Sequence, residues 1–164
     1  MKIKLLPTQN NLPELTRREI IELLNRQLAD AIDLGLQAKQ AHWNVKGPHF
    51  VGLHELFDKA AETIEGFIDD LAERTVQLGG VALGTLQIVV KHSRLSAYSL
   101  TISSGKEHVT ELSNAVATFG ATTRAAIDTA TKTGDADTAD LLTEISRGVD
   151  KLLWFVEVHL QAKE

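Results

Sequence analysis

The sequence predicts an all-α domain of four long helices, with a long crossover between helices 2 and 3 that carries a short extra helix. Three observations support this. Apolar residues recur at spacings of three and four through most of the 164 residues, the period of a helix with one buried face. Proline is confined to Pro7, Pro13 and Pro48, so no ring interrupts a helix beyond that point. Break signals fall at Lys46-Gly47-Pro48, Gly79-Gly80 and Thr133-Gly134-Asp135, and they bound long segments.

Residues 1–15 mix polar, proline and apolar types and read as an N-terminal arm; residues 16–164 read as one bundle domain. Thr16-Arg17-Arg18-Glu19 has the form of a capping box, which predicts a helix start at Thr16. Ile20, Leu23, Leu24, Leu28, Ala31 and Leu34 then mark its apolar face, and the helix is expected to run to about Asn44. A second helix is expected from near Phe50, with Leu53, Leu56/Phe57, Ala60/Ala61, Ile64, Phe67/Ile68 and Leu71 as its apolar face and Gly79-Gly80 as its C-terminal stop. Thr85 is placed to cap a short helix through Ser93. Ser104-Gly105-Lys106-Glu107 is a second capping box, opening a helix to about Lys132. The last helix is expected from about Ala136 to the C-terminus, with Leu141/Leu142, Ile145, Val149, Leu152/Leu153 and Val156 as its stripe. A connection of about 24 residues between helices 2 and 3 is long for a compact domain. A tight hairpin, a long crossover and a second tight hairpin describe a ferritin-like four-helix bundle.

Composition narrows the function. The chain is 43% hydrophobic and 24% charged, as expected of a soluble globular domain. No apolar run reaches the roughly 18–20 residues that span a bilayer, and the N-terminus has no apolar signal-peptide core. With no cysteine there is no thiol chemistry and no disulfide framework. These features point to a cytoplasmic protein with no membrane partner. A net charge of −5 argues against general binding to nucleic acid.

Five residues stand out as metal ligands: His42, His54, Asp58, Asp69 and Glu73. His54/Asp58 and Asp69/Glu73 are each spaced i,i+4, so each pair shares a helix face. His42 lies six residues before Pro48 and His54 six after it, which brings the two level across an antiparallel hairpin. Asp58 and Asp69, however, are separated by about 16 Å of helix rise at 1.5 Å per residue, whereas metal ligands sit at about 2.0–2.2 Å. The two pairs are therefore either unrelated, as ordinary solvated helix faces, or halves of a site that a second subunit completes about a two-fold axis. No Glu in the chain has a His three residues on, which removes the usual support for a di-iron site within one bundle.

At these residues the chain resembles a known family. Ala41-His42-Trp43-Asn44-Val45-Lys46-Gly47, Leu53-His54-Glu55-Leu56-Phe57-Asp58, Asp69-Asp70-Leu71-Ala72-Glu73-Arg74 and Leu153-Trp154-Phe155-Val156-Glu157 are similar to the Dps family's motifs, across about residues 16–160. The resemblance implies a miniferritin: a homododecameric shell with intersubunit di-iron ferroxidase centres. Each centre would take His42, His54 and Asp58 from one chain and Asp69 and Glu73 from another. Ferrous iron and hydrogen peroxide would be the substrates and a ferric mineral core the product. It also implies that acidic residues near the start of the last helix line a pore. Asp140 is the expected one, with helix capping and dipole compensation as the alternative for Asp135 and Asp137.

Glu62 and Glu65 are candidates for mineral nucleation, or belong to an ordinary solvated face. Trp43 is expected to pack at an interface, the alternative being a sink for oxidising equivalents. Trp154 and Phe155 are expected in the core or at a subunit contact. His49, His92, His108 and His159 have no partner pattern and are expected to be structural or at the surface. The arm offers only Lys2 and Lys4, and the C-terminus only Lys163 beside Glu164, so weak or absent DNA binding is expected. The alternative functions are a nucleoid-associated protein acting mainly by direct DNA binding, and an inert shell.

Overall fold

The computed structural model of the chain describes residues 5–161. It is all-helical: α1 Glu14–Asn44, α2 Phe50–Gln77, the short α3 Leu86–His92, α4 Gly105–Thr133 and α5 Ala136–Glu157, followed by a 3-10 turn over Val158–Leu160. α1 packs along α2 and α4 along α5, and α1 against α4 closes the bundle. Leu24, Leu28, Leu34, Phe57, Ile64, Phe119, Leu142 and Ile145 are sealed at its centre. All but Phe119 are residues whose helical spacing marked an inward face.

Two helix ends differ from expectation. α1 starts at Glu14 with Pro13 in the capping position. Thr16 is therefore inside the first turn, where its hydroxyl donates across the bundle to the Thr133 carbonyl at 3.4 Å. The capping-box reading failed because Pro13 already fixes the backbone ahead of the helix, and its carbonyl accepts the first helical bond from the Arg17 N–H at 3.0 Å. α5 stops at Glu157 rather than continuing, and residues 162–164 lie outside the described part. Other signals hold. Ser104 and Glu107 form both halves of a capping box. Gly134, at φ 87°, closes α4 in the left-handed conformation.

The crossover is fastened to α1 by polar side chains along one face of that helix. Asn25 bonds the Val81 carbonyl at 3.1 Å and the Leu83 N–H at 2.8 Å. Asp30, fully buried, accepts from the Arg94 backbone at 2.8 Å and from its guanidinium at 2.9 and 2.6 Å. Asp33 accepts from Ser93 at 2.5 Å, and Gln37 donates to the Ser96 carbonyl at 3.0 Å. These bonds satisfy a segment that has few backbone partners of its own. The arm is fastened too: the Leu6 N–H donates to Gly79 at 2.8 Å, and Arg17 clasps the Leu12 and Leu78 carbonyls at 3.2 and 3.0 Å.

Candidate metal centre

His42 lies in the last turn of α1 and His54 in the first turns of α2. A helix end leaves its last carbonyls without intrahelical donors, and the His42 carbonyl is one of them. The N–H that would have reached it, on Lys46, donates instead to the Ser103 carbonyl at 2.9 Å. His54 Nδ1 takes that vacated acceptor at 2.8 Å, and His42 Nδ1 bonds the His54 carbonyl at 2.8 Å in return. A carbonyl can only accept, so each Nδ1 carries the proton. In the neutral form of each ring Nε2 is then the nitrogen able to bind a metal. The rings stack with centroids 3.7 Å apart, and Phe50 packs beside His54 at 5.0 Å. Reciprocal bonds between the two helices thus fix the tautomer and orientation of both imidazoles.

Asp58 lies one turn further along α2. Its carboxylate accepts from Lys39 at 2.5 Å and comes within 4.0 Å of His42 Nδ1, too far to compete with the His54 carbonyl for that proton. The hydrogen bond from Lys39 holds the Asp58 carboxyl below the usual carboxylate range against a smaller opposing effect of burial, and the Lys39 charge, with that of either imidazole when protonated, adds to the lowering. Asp58 is accordingly an anion at neutral pH, engaged by a side chain that the sequence reading missed. The signal was available: Lys39 lies nine residues before Pro48 and Asp58 ten after it, the same turn symmetry that paired His42 with His54.

Asp69 and Glu73 are exposed further along α2. Glu73 borders a separate open groove of about 410 Å³ with Ala72, Val76 and Gln77. Among the described residues, no group of three or more His, Asp or Glu side chains could hold a metal ion within one chain. The structure therefore brings His42, His54 and Asp58 to one end of a face and leaves Asp69 and Glu73 apart. Glu62 and Glu65 line a groove of about 270 Å³ that also contains Asp58 and Lys39, with Glu62 paired to Lys59 at 2.8 Å.

At the start of α5, Asp135 is buried. It caps Thr138 and pairs with Arg74 at 2.8 Å. Asp137 and Asp140 are exposed. Trp43 is 64% exposed. Trp154 and Phe155 are exposed and pack on each other at 4.9 Å instead of entering the core.

Comparison with known proteins decides the family. A ferritin-like domain model matches residues 21–164. The DNA protection during starvation protein of Agrobacterium fabrum is 44% identical over 156 residues, covering 95% of this chain and 96% of that one. The chain belongs to the Dps family. Solved Dps structures agree: DpsC from Streptomyces coelicolor superposes with TM-score 0.91 at 31% identity, over 99% of this chain and 94% of that one. Mycobacterium smegmatis Dps gives TM-score 0.88 at 31% identity, over 98% of this chain and 94% of that chain. As a Dps, the chain belongs to a ferritin-like family associated with iron storage and DNA protection. Among the described residues, no helix is long and apolar enough to cross a membrane.

Proposed function

We propose that this Dps is a cytoplasmic miniferritin, a homododecameric shell that oxidises ferrous iron with hydrogen peroxide and stores the ferric product as mineral. The observation that carries the reading is the reciprocal pinning of His42 and His54 through Nδ1, which leaves two imidazole Nε2 atoms for a metal beside an ionised Asp58. Two imidazoles and a carboxylate are a ligand set suited to iron. The set is incomplete in one chain. On this reading a two-fold partner supplies Asp69 and Glu73, giving two di-iron sites per isologous interface. Exposed Trp43, Trp154 and Phe155 are the kind of apolar surface that assembly would cover.

The residues divide the work. His42 and His54 bind as neutral donors. Asp58, Asp69 and Glu73 add negative charge, which favours the ferric over the ferrous state. Lys39 must release Asp58 as iron arrives. Two ferrous ions each give up one electron; peroxide takes both and, with two protons, leaves as two waters. Removing both reactants protects the cell and its DNA from hydroxyl radical. Asp140 at the rim of α5, and Glu62 and Glu65 in the groove, are proposed to guide iron and seed mineral.

A role in direct DNA binding has less support. The described part of the arm is fastened to the end of α2, and the lysines at 2 and 4 lie outside the described residues. The test is anaerobic ferrous loading followed by peroxide. Rapid oxidation is expected in the unaltered protein, with large loss in His42→Ala and in Asp69→Ala; unchanged rates in both would refute the shared site.

A further inference from the structure

Tyr98, in the crossover, is the chain's only tyrosine. Its phenol oxygen lies 2.8 Å from His108 Nδ1, with the two rings nearly parallel at 19°. His108 is 1% exposed, and its Nε2 is buried without a well-formed hydrogen bond to any described residue. Burial pushes the imidazole down, so it is neutral at neutral pH. Burial and the Glu111 charge push the phenol up, so it keeps its proton. The proton therefore sits on the phenol and is donated to Nδ1, and Nε2 carries the ring's N–H. A buried imidazole left partly unsatisfied needs a reason.

Burial outweighs two smaller influences that would help a protonated ring. The Asn44 backbone and the Glu107 carboxylate both favour imidazolium, while Lys46 opposes it. The pair is also tied to the hairpin that carries the candidate metal centre. Asn44 is two residues beyond His42. Lys46 bonds Ser103 at 2.9 Å, and Gly105 lies so close to Leu53, the neighbour of His54, that a Cβ there would stand 2.5 Å from its Cδ1. The start of α4, and His108 with it, is thus held against the hairpin that carries both imidazoles.

We propose that Tyr98 and His108 form a proton-coupled trap for one-electron oxidants made when a site holds a single ferrous ion. This rests on the iron reading above. One ferrous ion gives peroxide one electron, yielding hydroxide and hydroxyl radical. Tyr98 supplies the second electron, which reduces the radical to hydroxide, while the phenolic proton passes to His108 Nδ1. A neutral phenoxyl radical and an imidazolium remain, so no cation radical forms in a low-dielectric interior. A later ferrous ion reduces the phenoxyl, and the proton returns.

The test has two arms. In the first, the metal-free full-length protein is exposed to photogenerated tris(bipyridyl)ruthenium(III) and frozen for electron paramagnetic resonance. A tyrosyl signal is expected, absent in Tyr98→Phe, with formation slowed in deuterated buffer and in His108→Gln. No signal, or formation indifferent to both deuterium and His108→Gln, would overturn the pair. In the second, peroxide is added after loading about one ferrous ion per proposed site. The same signal is expected, and more protein oxidation in Tyr98→Phe. A signal in the first arm only, in protein that oxidises iron normally at full loading, overturns the trap while sparing the iron reading. Failure to oxidise iron at full loading overturns the iron reading, and with it the trap's supply of oxidant.

Discussion

A site divided between two chains can be tested by mixing defects. The two candidate ligand pairs on α2 are separated by 11 residues between Asp58 and Asp69, about 16 Å of rise, far beyond any bond to a shared ion. Let one chain carry His42→Ala and another Asp69→Ala, and let the shell form from equal amounts. An interface between like chains has no intact site. An interface between unlike chains has one site with both defects and one with neither. Random assembly makes about half the interfaces unlike, so about a quarter of the sites should be whole. Peroxide-driven ferrous oxidation should recover to about a quarter of the unaltered rate, from parents near background. The shell should survive: His42→Ala removes one hydrogen bond at a partly exposed position, worth about 0.5–1.5 kcal/mol. The control pairs His42→Ala with His54→Ala, defects in the same half, and should recover nothing. No recovery in the first mixture, or equal recovery in both, would refute the division of ligands.

Other outcomes follow from single contacts. Lys39→Met removes the ion pair that occupies Asp58. Zinc, a redox-inert stand-in, should bind about two- to fivefold tighter by calorimetry, a modest change because the pair is partly exposed; equal or weaker binding would show that Lys39 does not compete with the metal. Gly79 and Gly134 share a left-handed backbone, at φ 81° and 87°, so Ala at either should cost about 1–2 kcal/mol. Gly79→Ala should cost more by thermal unfolding and should loosen the arm to protease, because its Cβ would meet the Leu6 carbonyl at 2.6 Å while Gly134 has nothing within 4 Å. His108 is held below its ordinary value of 6.5, so the unfolded chain takes up a proton first as pH falls. Its contribution to stability is full above 6.5 and lost below it. The fall in Tm from pH 7.5 to 5.5 should therefore be shallower in His108→Gln than in the unaltered protein.

The sequence carried the helices because their signal is periodic and local. Ser104 and Glu107 capped α4 as their spacing required, and Leu24, Phe57 and Ile145 went inside. The Thr16 cap misled because proline before a helix competes with a side-chain cap, and the pattern alone does not say which wins. Asn25, Asp30, Asp33 and Gln37 were invisible as a set, since each is an ordinary polar residue until the crossover lies against it. Turn symmetry placed His42 level with His54, but spacing says nothing about which nitrogen faces the backbone. His108 had no partner in sequence because Tyr98 meets it only after the crossover folds back over α4.

The orientation of His54 depends on a segment that contributes no ligand. Its Nδ1 takes the His42 carbonyl where the Lys46 N–H has turned away to Ser103, just ahead of α4. Were that N–H released, one more helical turn of α1 would compete for the carbonyl and weaken the bond that fixes the imidazole's tautomer. Gly105 sets how closely α4 approaches. A Cβ there would press on Leu53, itself 4% exposed, and overpacking of this kind costs about 1–3 kcal/mol. Gly105→Ala should therefore do more than lower Tm. Nitrogen chemical shifts of His54 should show loss of the single Nδ1–H tautomer, and zinc affinity should fall with it. A lower Tm with the His54 tautomer unchanged would mean that Leu53 absorbs the strain alone, and that the hairpin holds its imidazoles without help from α4.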